Sequence, residues 1–144
     1  MKRFHFSLDR LRAWRQTQFE REEARLAALL AQFEEHRRRR EGLRAQEAVS
    51  LAAIRASRVV NVEELQTLDA FRRWVSREET RIRSEEMGLG SRIAEQRGVV
   101  VEARRKVEGL DRIKEKRLHA WRKEVDRETE LAVAELVIAR WNSA

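Results

Sequence analysis

The side chains that most often carry catalysis or bind metals are few in this chain and widely spaced. Its 144 residues include no cysteine and only three histidines, His5, His36 and His119, whose spacing matches no metal-ligand pattern. No Gly-x-x-x-x-Gly-Lys-Ser/Thr loop is present to hold nucleotide phosphates. Adjacent acids such as Glu34 and Glu35 splay around a helix, so they do not converge as a general acid and base. The sequence therefore predicts a protein that is not an enzyme, with no catalytic residues, no cofactor and no metal site.

The composition favours long helices and argues against a compact catalytic domain. Charged residues make up 40% of the chain and aromatic residues only 6%, and there is no proline and no tyrosine. The commonest remaining types are strong helix formers, and 42% of the residues are apolar. No apolar run approaches the roughly 18 residues that span a bilayer, and the first six residues do not begin a secretory signal. We expect an all-α, cytoplasmic protein with no direct membrane insertion.

Residues recurring at alternating spacings of three and four form a seam along each half of the chain, which is typical of a coiled coil. In the second half, 11 of 17 seam positions are apolar, and the phase holds over eight heptads: Leu65, Leu68, Arg72, Val75, Glu79, Ile82, Glu86, Leu89, Ile93, Gln96, Val100, Ala103, Val107, Leu110, Lys114, Arg117 and Trp121. In the first half, six of 11 are apolar: Phe19, Glu22, Leu26, Leu29, Phe33, His36, Arg40, Leu43, Glu47, Ser50 and Ile54. This periodicity argues against intrinsic disorder.

A turn is predicted between the two seams. In the stretch 56–64, β-branched Val59 and Val60 interrupt the helix formers, and Asn61 can cap a following helix. We expect a first helix over about residues 8–56, a turn over about 57–61 and a second helix over about 62–141, within a single elongated domain of residues 1–144. Gly88 and Gly90 are interpreted as weak spots in the second helix, with a second turn or a hinge as the alternative, because the seam runs straight through them.

The two seams keep step when they are paired antiparallel about this turn. Opposed seam residues then have numbers that add up to 118 or 119 at every step. This register predicts two cross-helix ion pairs, Glu47 with Arg72 and Arg40 with Glu79. It places Leu8 beside residue 110, so residues after about 111 are expected to form a C-terminal helical overhang or to fold back. The predicted fold is an antiparallel two-helix coiled-coil hairpin.

Positive charge is concentrated in the first helix and in part of the second. Residues 1–60 hold 14 basic and eight acidic side chains, and residues 102–123 hold nine and four, whereas residues 124–135 hold five acids and one Arg. A basic face of this kind is one option for binding nucleic acid or anionic lipid. Acids are interleaved with the bases, however, and no known nucleic-acid fold is apparent. We therefore expect no nucleic-acid partner, and interpret the charge as a solvated face or a protein-docking surface.

Two segments near the chain ends resemble the FliJ family of flagellar type III export proteins. One runs from Phe4 to Arg15 with the pattern Phe-x-Phe-x-Leu-x-x-Leu-Arg-x-x-Arg, and the other, from Leu110 to Arg122, reads LDRIKEKRL-x-x-WR. Trp121 stands where the family usually has tyrosine, and Ala134-Glu135 where it often has Asp-Glu. The resemblance implies a stalk-like coiled coil that binds and stimulates the hexameric export ATPase, couples it to the cytoplasmic part of a membrane-embedded export gate, and escorts export chaperones.

The resemblance also implies two binding surfaces. The ATPase-binding tip would comprise Phe4, Phe6, Leu8, Leu11, Arg15, Lys114, Arg117, Leu118 and Trp121. The export-gate surface would comprise Leu43, Phe71, Arg72, Trp74 and Val75. The seam positions Leu43, Arg72 and Val75 are expected in the core rather than in the contact, which leaves Phe71 and Trp74 as the better contact candidates. Such a protein would lie peripherally at the cytoplasmic face of the inner membrane. The alternatives are the stalk of a virulence-type secretion system, a generic coiled-coil adaptor and, more remotely, a basic nucleic-acid-binding helical protein.

Overall fold

The computed structural model describes residues 2–144, which form two long helices joined by a short turn. Helix α1 runs over Asp9–Ala56 (48 residues) and helix α2 over Val62–Asn142 (81 residues). Both bounds of each helix lie within one residue of the positions predicted from the sequence. The predicted fold class is confirmed: the chain is an all-α, antiparallel two-helix hairpin whose second helix is the longer.

The turn owes its position to local hydrogen bonds around Ser57 and Asn61. The Ser57 amide donates to the Ile54 carbonyl at 3.2 Å, which closes the end of α1. The Asn61 side-chain oxygen accepts from the Glu63 amide at 3.2 Å, and its carbonyl accepts the first helical bond of α2. Asn61 is therefore the N-cap of α2, as its residue type predicts.

The chain divides into two compact units. Unit 1 is Met1–Arg21 with Val101–Ala144, and unit 2 is Glu22–Val100. Each unit contains a stretch of α1 and a stretch of α2, so each is itself a pair of antiparallel helical segments.

The core of unit 2 follows the predicted seam of α2. Its buried residues lie at seam positions: Leu68, Val75, Glu79, Ile82, Leu89, Ile93 and Val100. Leu43 of α1 forms a cluster with Val75 and Ile82, and Phe71 packs against that cluster. Two predicted seam positions near the turn are exposed, Leu65 and Arg72. Phe71 takes the inward position beside Arg72 because burying an aromatic ring is favourable and burying a guanidinium is costly.

The predicted register of unit 2 is confirmed in part by its ion pairs and hydrogen bonds. Arg72 Nε donates to Glu47 at 3.1 Å, as predicted. The predicted pair of Arg40 with Glu79 is wrong, because Arg40 Nε instead donates to Glu86 at 3.2 Å. Arg40 and Glu86 both have long, flexible side chains, and together they bridge the offset of seven residues from the predicted partner.

Glu79 is nevertheless stabilised as a buried carboxylate by two other arginines. Its exposed fraction is 5%, and it pairs with Arg44 of α1 and with Arg83, whose Nη2 lies 2.9 Å away. Two guanidinium groups offset the cost of removing one carboxylate from water. The same contact raises the pKa of Arg44, mainly through its hydrogen bond to Glu79.

Gly88 and Gly90 lie inside α2 and do not interrupt the helix. The helix is continuous through both, and no glycine of the described residues has a positive φ. The interpretation of these residues as positions within a helix is therefore confirmed, and a second turn at this point is excluded.

In unit 1, a non-helical segment precedes α1 and lies against α2. Phe6 of this segment is 2% exposed, and Val107 of α2 is also buried. Lys114 and Arg117 of α2 lie against the Phe6 ring, and Trp121 of α2 lies against the Phe4 ring. Consequently, α2 has a partner as far as Trp121, about ten residues beyond the point where the sequence placed the start of the overhang.

Candidate functional site

The two segments that carry the family resemblance come together in unit 1, at a surface named here the tip (residues 2–15 and 110–122). Lys114 Nζ donates to Asp9 at 3.0 Å, and Arg12 forms an ion pair with Asp111. Hydrogen bonding to Asp111 is the largest cause of the raised pKa of Arg12. The helical segments of the tip are thus held in register by complementary charges.

The segment before α1 is attached to α2 by two further hydrogen bonds. Arg117 Nη1 donates to Ser7 Oγ at 3.1 Å, and Trp121 Nε1 donates to the Lys2 carbonyl at 3.2 Å. Both donors belong to residues that the resemblance placed at the ATPase-binding tip. Their hydrogen bonds show a role within the chain: they position the first residues of the chain on α2.

Aromatic contacts reinforce this attachment. The rings of Phe4 and Trp121 lie 5.8 Å apart between centroids at 55°. Phe6 is buried beneath two cations, with Lys114 Nζ 5.8 Å and Arg117 Cζ 5.4 Å from its ring centroid. Aromatic pairs and cation–π contacts of this geometry are each favourable by about 0.5–1.5 kcal/mol. Phe6 is therefore a core residue of the tip, whereas Phe4 and Trp121 remain partly accessible to a partner.

Four further predicted tip residues lie around this core with different accessibility. Leu8, Arg15 and Leu118 are half-buried, and Leu11 is 41% exposed. Sequence reasoning missed Trp14, which is 52% exposed and has the guanidinium of Arg15 4.9 Å from its ring centroid. The available signal was its spacing of three from Leu11, off the seam, which puts both apolar side chains on one outward strip of α1.

The residues predicted to contact the export gate divide into core and surface. Leu43 and Val75 are buried in the cluster that holds unit 2 together, so they support the surface without forming it. Arg72 is exposed and paired with Glu47. Phe71 is partly buried and stacks on Trp74, with ring centroids 6.0 Å apart at 26°.

An accessible surface of mixed character remains around Phe71 and Trp74. Trp74 is 42% exposed, and an open depression of about 620 Å³ lies beside Phe71. Its lining combines apolar Ile54, Leu68 and Phe71 with polar and acidic side chains: Ser50, Asn61, Glu63, Glu64 and Thr67. An accessible aromatic pair beside such a depression is suited to contact with another protein through both apolar and polar groups.

The described residues were also searched for metal-binding clusters and for membrane-spanning helices. Among residues 2–144, no three His, Asp, Glu or Cys side chains are grouped so that they could hold a metal ion. Neither α1 nor α2 contains a stretch with the length and hydropathy required of a bilayer-crossing segment.

Comparison of the chain with protein-family models, curated proteins and solved structures found no match.

Proposed function

We propose that this chain is a non-enzymatic, stalk-like component of a bacterial flagellar type III export apparatus. In this role it binds and stimulates the hexameric export ATPase through the tip, contacts the cytoplasmic part of the export gate through unit 2, and escorts export chaperones. It would act peripherally at the cytoplasmic face of the inner membrane and contribute to flagellum assembly, motility and chemotaxis. The observation that carries the proposal is the meeting of the two family-like segments in one contiguous surface.

The chemistry of the tip fits a protein partner. It presents accessible apolar groups at Leu11, Trp14 and the Phe4–Trp121 pair, and these lie in a strongly basic surrounding. Exposed aromatic side chains supply much of the binding energy at protein interfaces, and surrounding charge speeds association with a partner of opposite charge. We infer that the ATPase surface met by the tip is acidic at its rim and has apolar pockets at its centre.

The Phe71–Trp74 surface supports contact with a second partner. It belongs to unit 2 and shares no residue with the tip. A chain that couples an ATPase to a gate requires two such separate surfaces. We assign gate binding to Phe71 and Trp74, with Arg72 at the edge and with Leu43 and Val75 holding the surface from below.

The assignment of the tip is tested by co-purification with the export ATPase encoded in the same genome. We expect Trp121→Ala and Phe4→Ala to weaken ATPase binding by about tenfold or more, because each removes one ring of a partly exposed aromatic pair. Trp74→Ala is the matched control: it removes a similarly exposed indole from unit 2 and should leave ATPase binding unchanged while weakening binding to the gate.

The same assay separates the alternatives. Binding to a virulence-type secretion ATPase and not to the flagellar enzyme would favour the stalk of that system. Equal loss of ATPase binding in all three variants would contradict the assignment of the tip.

A further inference from the structure

We propose that the chain forms an antiparallel homodimer in which the C-terminal part of α2 from each copy lies on unit 1 of the other copy. The inference does not depend on the proposed function, and because such a dimer covers part of the tip, dimerisation and ATPase binding would compete. It rests on an apolar helix end that is not covered by any of residues 2–130 and on the opposite charges of two parts of unit 1.

The last turns of α2, residues 131–141 (the apolar end), are exposed although nine of their 11 residues are apolar. The exposed fractions of their large apolar side chains range from 53% to 82%: Leu131, Val133, Leu136, Val137, Ile138 and Trp141. A contiguous apolar surface on a helix marks a protein-interaction site. A helix end of this length also gains little stability from propensity alone. The composition of the apolar end therefore indicates that another protein surface packs against its apolar side chains.

The apolar end has one face without charge. At 100° per residue, Leu131, Ala134, Val137, Ile138 and Trp141 fall within a stripe about 120° wide. The two charged residues of the segment, at positions 135 and 140, lie outside that stripe. The face is thus suited to lie along the side of another helix pair.

The segment just before the apolar end carries the opposite charge to the rest of unit 1. Residues 124–130 (the acidic segment) contain four acids and one Arg. Residues 2–21 and 101–123 (the basic part of unit 1) contain 15 basic and six acidic side chains, a net charge of +9. Because α2 is continuous through Asn142, the acidic segment does not fold back onto the basic part of its own chain. The same attraction is available between two copies.

One antiparallel alignment pairs the opposite charges and brings the apolar end onto α2 of the other copy. If residue 126 of one copy faces residue 114 of the other, then Glu124 faces Lys116 and Glu128 faces Arg112. Residues 131–139 then lie over residues 101–109 of the other copy. Symmetry repeats every contact, which is the usual form of a twofold interface.

The stretch of α2 that this alignment places under the apolar end offers Val101, which is 44% exposed, and the half-buried Ala103. Direct pairing of two apolar ends is the less favourable arrangement. It joins Leu131 to Trp141 and Ala134 to Ile138, which brings the two copies of Glu135 together near the twofold axis.

Sedimentation equilibrium of the full chain tests the dimer. We expect a dimer whose dissociation constant increases when the salt concentration is raised, because exposed charges contribute to the contact. Ile138→Glu should raise the dissociation constant at least about tenfold, because it puts a carboxylate into the apolar stripe. Val59→Glu is the matched control: Val59 is 83% exposed in the turn, and the same change there should leave dimerisation unaffected.

Charge reversal tests the alignment. Glu124→Lys with Glu128→Lys should weaken the dimer, and adding Arg112→Glu with Lys116→Glu in the same chain should restore it. All four side chains are exposed, so the folded hairpin should keep its helical circular dichroism. A monomer at every concentration up to about 100 µM would overturn the proposal, and would leave the apolar end to a different protein. A dimer that resists Ile138→Glu, or a charge-reversed pair that is not restored, would overturn it as well.

Discussion

At the scale of single residues, two hydrogen-bond acceptors favour the charged form of His36. Its Nδ1 lies 2.7 Å from the Gln32 carbonyl and its Nε2 lies 2.7 Å from the Glu85 carboxylate. Both partners are acceptors, so these contacts favour the imidazolium form, in which both ring nitrogens donate. The hydrogen bond to Gln32, followed by the one to Glu85, raises the pKa of His36, and the charge of Glu86 acts in the same direction.

This contact predicts a pH dependence of stability. A pKa that is higher in the folded chain than in the unfolded chain stabilises the fold below the unfolded value of about 6.5. That contribution is lost as the pH rises through the folded value. We expect the free energy of unfolding, measured with urea, to fall as the pH rises above about 6.5 in the wild type, and to fall less in His36→Gln. His119→Gln, at an exposed position of α2, should behave as the wild type. Parallel curves for wild type and His36→Gln would refute the role of His36.

At the scale of elements, the hairpin register is open to a crosslinking test. Leu43 and Val75 lie in one buried cluster, and cysteine is a small, apolar replacement that such a position tolerates. We expect Leu43→Cys with Val75→Cys to form a disulfide within one chain when the protein is refolded under oxidising conditions, as observed by mass spectrometry. Leu43→Cys with Ile93→Cys is the control, because position 93 lies about 18 residues, or roughly 27 Å, farther along α2. Crosslinks found only between chains would contradict the hairpin.

Much of the fold is predictable from sequence because it follows from periodicity. The spacing of three and four fixes which face of each helix is buried, and Asn61 with its β-branched neighbours fixes the turn. The packing of the segment before α1 on α2 was not predicted because this segment is too short to show a helical period. Its signal was the alternation of Phe4 and Phe6, which is a period of two. The ion pair of Arg40 with Glu86 was not predicted because several acids lie within reach of a long side chain, and sequence spacing alone does not show which of them is bound.

At the scale of the whole molecule, the tip and the apolar end differ in how far the sequence predicts them. The location of the tip was predictable, since the register puts residue 8 near residue 110 of α2. Which of its residues are accessible was not predictable, because the burial of Phe6 and the exposure of Trp14 depend on how the first residues pack on α2. The apolar end follows from composition, but its exposure depends on where the covering by residues 2–8 stops.

The central claim is that the tip acts on an ATPase, and the rate of ATP hydrolysis by the purified hexameric export ATPase tests it most directly. Adding this chain should raise that rate in a saturable manner. Trp121→Ala should shift half-saturation to about tenfold higher concentration, whereas Trp74→Ala should leave it unchanged. A rate that does not respond to the wild-type chain at any concentration would contradict the claim.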